Sequence, residues 1–274
     1  MHLKSYILVA TMLLGLAGAG RADEVSEKGR EVFNKYHRAV VTVQLVQKVT
    51  ASMSGRSGEA MEFKQDITGT VVDPSGLTVL ALSMVDPAET GRRMYGDRYK
   101  AEIEINDVKI LTEDGGEIDS EIVLRDKDLD LAFIRPKAKL AKPMTAIDLT
   151  KSAPAQVLDT VVSLNRLGRA ASRAYSASRE RISAVVQRPR TFYIPDSTMT
   201  ATTSGSPAFA LDGPIVGIFV MRAISSGGAA ASRSDNTTYI ILPAEDVLKA
   251  AKQAPEAKGG EAAKEEAKAE AEKN

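Results

Sequence analysis

The side chains that most often carry enzymatic chemistry are scarce in this chain. Its 274 residues include no cysteine and only two histidines, His2 and His37. The missing cysteines remove thiolate nucleophiles, disulfides and cysteine metal ligands together. Two histidines leave almost no scope for a zinc site, so neither a metal nor another cofactor is expected. Serine remains as a candidate nucleophile, but a neutral hydroxyl is weak in that role. Acyl transfer by serine needs a neighbouring base that takes the proton and later returns it to the leaving amine. Histidine suits the task because its pKa lies near neutrality. His37, flanked by Tyr36 and Arg38 at the start of a strand-like run, reads as a lone surface histidine rather than as that base.

The elements that must position any such chemistry read as strands. Hydrophobic residues make up 43% of the chain, enough for a sizeable core, while aromatics are 5% and tryptophan is absent. The core must then be built from Val, Ile, Leu and Ala, which favours sheets packed through β-branched side chains. Residues 39–46 alternate partly and are rich in β-branched residues, the pattern of a strand. Further strands are expected near 67–72, 77–82, 101–111, 119–124, 130–135, 157–164, 181–187, 214–221 and 238–242, with a loop over 50–60. Turns such as Asp73-Pro74-Ser75-Gly76 and Asp114-Gly115-Gly116 separate them. No long helical pattern intervenes to return parallel strands, so an all-β antiparallel barrel or sandwich is expected. Short helices are expected over 24–38 and 243–252.

The first 22 residues carry Lys4, an apolar run from Tyr6 to Ala17 and a Gly20-Arg21-Ala22 exit, the pattern of a secretory signal cleaved after Ala22. The apolar run is shorter than the roughly 20 residues of a membrane span. A secreted or periplasmic product with no stable membrane span is therefore expected, organised as a signal at 1–22, one domain at 23–252 and a disordered Ala/Glu/Lys tail at 253–274. The 36 basic and 36 acidic residues cancel, so no positive field draws nucleic acid.

Three segments, in order, resemble the HtrA/Deg branch of trypsin-like serine proteases. Residues 68–86, including Thr68-Gly69-Thr70 and Asp73-Pro74-Ser75-Gly76, are similar to the family's strand, turn and strand ahead of the histidine that acts as base. Counting from the turn, that position holds Ser83. Asp128-Leu129-Asp130-Leu131-Ala132 resembles the strand bearing the orienting aspartate, which maps to Asp130. Thr202-Thr203-Ser204-Gly205-Ser206-Pro207 looks like the nucleophile turn, with Ser204 in the nucleophile position. The resemblance implies two six-stranded β-barrels with the site in the cleft between them, and an oxyanion hole from the backbone at Thr202 and Ser204. Two departures follow. Serine at position 83 has no accessible basic form at neutral pH, and Thr202 and Ser206 replace glycines whose freedom shapes the oxyanion turn. The implied function is an inactive protease homologue, a pseudoprotease, that binds a peptide or protein. The alternative is an active endopeptidase using Ser204 with an unorthodox base, for which Lys127, near Asp130 but on a solvated turn, is one candidate.

Overall fold

A computed structural model describes residues 19–53, 56–88, 91–92, 99–196, 203–223 and 237–257. Helix α1 (Ala19–Tyr36) and a short 3-10 turn (His37–Ala39) lead into the first barrel. Its strands are β1 (Val40–Met53), β3 (Met61–Val71), β4 (Thr78–Ala81), β5 (Tyr99–Leu111), β6 (Glu117–Asp126) and β7 (Leu131–Pro136), with the two-residue β2 (Arg56–Ser57) extending the β1–β3 hairpin. They pair in the order β1, β3, β4, β7, β6, β5, and β5 returns to β1, which closes the sheet. The second barrel pairs β8 (Thr160–Arg166), β9 (Tyr175–Val186), β10 (Phe192–Pro195), β13 (Thr237–Pro243), β12 (Ile215–Ala223) and β11 (Pro207–Ala210), and β11 closes on β8. Four-residue helix α2 (Leu82–Val85) follows β4, and α3 (Ala244–Ala251) follows β13. The expected all-β fold of two six-stranded antiparallel barrels with a helix at each end is therefore observed.

Three apolar clusters hold this arrangement. Val43, Leu45, Leu80, Ile110 and Ile134 fill the first barrel, and Val161, Ile182, Phe219 and Ile241 fill the second. A third cluster lies between them, where Val79, Leu131 and Phe133 meet Val162, Leu164, Phe209 and Ile218. Burying each such side chain contributes about 1.5–3 kcal/mol relative to leaving it exposed. The terminal helices are stitched into this shared layer. Val32 of α1 and Val247 of α3 belong to it, and the Tyr36 ring stacks on Phe209 at 4.5 Å. Beyond α3, Arg135 of β7 donates to the carbonyl of Pro255 at 2.8 Å, and Ala257 is buried.

Several boundaries differ from the sequence expectation for identifiable reasons. The 50–60 stretch is not all loop, because β1 continues to Met53, where β5 supplies partners as far as Tyr99. Strands β10 and β11 were not anticipated: each has four residues, one of them a terminal proline, too short for a period to register.

A polar tie also joins the barrels. Asp66 on β3 accepts hydrogen bonds from Arg169 Nη2 at 2.8 Å and Arg173 Nε at 2.7 Å, both on the loop after β8. Burial alone would push the Asp66 carboxyl up, but the bonds from Arg169 and Arg173, with a further one from Gln44, outweigh it and hold it well below the usual carboxylate range. A depressed native pKa means the contribution is complete above the unfolded carboxylate pKa of about 3.9 and is lost as pH falls below it. Replacing Asp66 with Asn should therefore lower stability at neutral pH and flatten its decline below about pH 4. Urea titrations at several pH values check this; parallel curves for the two proteins would contradict it.

Candidate functional site

The turn before β7 places Asp130. Asp126 Oδ1 accepts from the amides of Asp128 and Leu129, both at 3.0 Å, a side-chain turn that Asp favours. Asp130 then adopts φ +56°, the left-handed region that Asp tolerates better than most residues. Its carboxylate faces the start of α2. Oδ1 accepts from Ser83 N at 2.6 Å, and Oδ2 accepts from Ser83 Oγ at 2.9 Å and from Met221 N of β12 at 2.8 Å. The Asp130 carbonyl accepts from Leu82 N at 2.9 Å. One aspartate thus serves as the N-terminal acceptor of a four-residue helix and as a bridge to the second barrel.

Ser204 sits in the turn that enters β11. Gly205 follows it at φ +88°, its amide donating to Phe219 O at 2.8 Å and its carbonyl accepting from Thr70 Oγ1 at 2.7 Å. Ser206 N returns to Thr203 O at 3.0 Å, and Ser206 Oγ donates to Asn165 Oδ1 at 2.6 Å. Ser204 is only 1% exposed, and its hydroxyl has no hydrogen-bond partner among the described residues. The structure therefore brings Ser83 and Asp130 into direct contact but makes no hydrogen bond from the Ser204 hydroxyl to either. Thr202, named with Ser204 for the oxyanion hole, lies outside the described residues.

The candidate bases are elsewhere. The His37 ring stacks on Phe33 at 4.9 Å and meets Tyr175 edge-on at 4.8 Å, with Nδ1 2.8 Å from Phe33 O. This half-buried position in an aromatic stack differs from the surface site expected, because α1 folds onto the second barrel. Lys127 is exposed on its turn. It does line a groove of about 240 Å³ between the barrels, together with Ser83, Asp130, Arg190, Met221 and Arg222. Ser204 is not among the lining residues. Arg222 lies over the Phe192 ring at 5.1 Å, and Arg190 reaches Asp128 at 3.4 Å. Sequence reasoning missed Arg222 and Met221, since a β-strand residue shows no sign of facing a cleft until its partner strands are known.

The arrangement offers hydroxyl and amide donors, cations and an open groove and, among the described residues, no hydrogen-bond acceptor on the Ser204 hydroxyl to take its proton. Among the described residues no helix is long and apolar enough to cross a membrane, which says nothing of strands. Comparison with curated protein sequences finds no match. A family model for the trypsin-like peptidase domain matches residues 67–218, a span from the end of β3 to β12 that contains Ser83, Asp130 and Ser204. That span is more than half of the chain and holds the Ser83 and Asp130 side of the groove, while Val220, Met221 and Arg222 of the facing wall lie just beyond it. The double barrel and this match agree, and the chain belongs to the trypsin-like peptidase domain family.

Proposed function

We propose that the chain is an exported relative of the HtrA/Deg proteases that has lost turnover and acts by binding a peptide or protein segment in the groove beside Asp130. The state of two serines carries this reading. Ser83 commits its hydroxyl to Asp130 Oδ2, and the Ser204 hydroxyl is buried without a partner among the described residues. The likeness of residues 68–86 to the histidine-bearing segment supports assigning Ser83 to the place of the missing base. A hydroxyl there cannot accept the nucleophile's proton at neutral pH. Losing one member of a triad that acts as a unit costs about a millionfold in turnover, or about 8 kcal/mol of transition-state stabilisation. What remains is a groove whose wall includes Val220, Met221 and Arg222 of β12, with cationic side chains beside it. An extended segment suits such a shape. The pattern of the first 22 residues supports export.

Residues 23–274, incubated with unfolded casein and with a fluorophosphonate probe, should give no turnover and no labelling above the Ser204→Ala variant. Labelling of Ser204 that this substitution abolishes would overturn the reading and favour an active endopeptidase.

A further inference from the structure

The first barrel has an arm that its own fold does not need. Strand β1 runs past the barrel mouth with β3 on one side and β5 on the other, and register places Gln47 beside Phe63 and Ile105, Val49 beside Met61 and Ile103, and Ala51 beside Ala101. Directly paired residues share a face. One face of the arm is therefore apolar, a continuation of the barrel's interior face beyond Leu45 and Ile67. The opposite face is charged, with Lys48 between Glu62 and Glu104 and Lys64 in the next row. The apolar face begins where Gln47 and Gln65 donate to the carbonyls of Val85 and Met84. Past that clasp Met61 is 58% exposed and Phe63 46%.

The outer edge of β3 is open along the same stretch. Among the described strands β4 pairs with β3 only at Thr70 and Val71, so Met61 to Gln65 have β1 on one side and no strand on the other. Free edges are usually guarded by bulges or by like charges. Strand β5 is guarded in this way: a bulge leaves Asn106 out of register, and Glu102 and Glu104 occupy one face. The β3 edge is different, because its sequence complements itself. Antiparallel pairing about a two-fold axis at Phe63 sets Glu62 opposite Lys64 and Lys64 opposite Glu62, with Phe63 facing its own counterpart and Met61 facing Gln65. The Phe63 pair meets on the apolar face, Met61 faces the uncharged Gln65, and opposite charges meet on the charged face, where such pairs stabilise adjacent strands.

We propose that this edge joins two copies of the chain, β3 to β3, into a continuous sheet running β5, β1, β3 and then the second copy's β3, β1, β5. The isologous arrangement is the one closed two-fold symmetry produces, and the short edge makes it a modest interface, populated at micromolar concentrations rather than obligate.

Analytical ultracentrifugation of the purified chain up to about 200 µM should show a reversible dimer, since an interface below about 1,200 Å² is weak. Lys64→Glu puts two glutamate pairs across the axis and should weaken the dimer at least about tenfold, and adding Glu62→Lys to it should restore the dimer to within about threefold of the parent. In a chain with no cysteine, Phe63→Cys should yield a disulfide-linked dimer when dioxygen is the oxidant, because paired residues on adjacent antiparallel strands lie within disulfide reach. These positions are exposed, so circular dichroism should stay that of the parent. A parent that is monomeric throughout, or a dimer that Lys64→Glu leaves intact, would overturn the proposal. A Lys64→Glu effect that Glu62→Lys does not reverse would rule out this register and with it the proposal.

Discussion

Replacing Asp130 with Ala should lower the free energy of unfolding by about 3–5 kcal/mol, a large effect for one residue at the rim of a groove. The carboxylate accepts from the Ser83 amide, the Ser83 hydroxyl and the Met221 amide. Hydrogen bonds to a charged acceptor are worth about 1.5–3 kcal/mol each, and they are not additive within one cluster. Alanine would also hold φ +56° less readily than aspartate does, a cost of about 1 kcal/mol. Asp130→Asn separates these contributions. It keeps the volume and the tolerance for that backbone conformation, and one oxygen can still receive the Ser83 amide, but an amide nitrogen cannot accept from Met221 N. Its expected loss is about half that of alanine. Urea denaturation with both variants decides the matter. Were Asp130→Ala to unfold at the parent's midpoint, the carboxylate would have no structural role, and an aspartate retained for catalysis would become the better account.

The second large effect is expected at Gly205, next to Ser204. A Cβ built there would stand 2.4 Å from the Thr68 carbonyl oxygen, and the residue already has φ +88°. The turn cannot retreat easily, since its carbonyl is held by Thr70 Oγ1 and its amide by Phe219 O. Gly205→Ala therefore combines backbone strain with a forced separation of the two barrels, together about 2–4 kcal/mol. In a domain of this size that corresponds to a fall in Tm of about 4–16 °C. Gly213 provides the control. It has φ +107° but nothing within 4 Å of a built Cβ, so Gly213→Ala reports strain without the clash and should cost less. Equal falls for the two variants would mean that the close approach to Thr68 contributes nothing.

How much of this was legible in the sequence depended on the range of the interaction. Strands with several alternating or β-branched residues, such as β1 and β7, stood out because the signal lies within the strand. The end of β1 did not, because Ala51, Ser52 and Met53 have weak strand preference and are held in place by partners about fifty residues away on β5. Helix α3 was found within a residue at each end, its apolar residues recurring at helical spacing. Ser83 and Asp130 were paired through resemblance to a family, and the adjacency of β4 and β7 supplies the geometry of the hydrogen bonds that join them. The burial of Ser204 has no local signature. Small residues around a serine suit an exposed turn as well as a closed one, and the difference lies in Thr70 and Phe219, which clamp the neighbouring glycine. The Asp66 tie was out of reach for the same reason, with its arginine partners more than a hundred residues downstream.

The crossing of both chain ends between the barrels bears on how the molecule comes apart. On the way in, α1 rests on the second barrel before the polypeptide enters the first. On the way out, α3 rests against the second barrel, and the chain then returns to the first at Arg135. Neither half can loosen without exposing apolar surface of the other and stripping a helix from its seat. Melting should therefore proceed as a single cooperative transition rather than barrel by barrel, and hydrogen exchange should protect the most persistent amides of β7 and β12 to a similar depth.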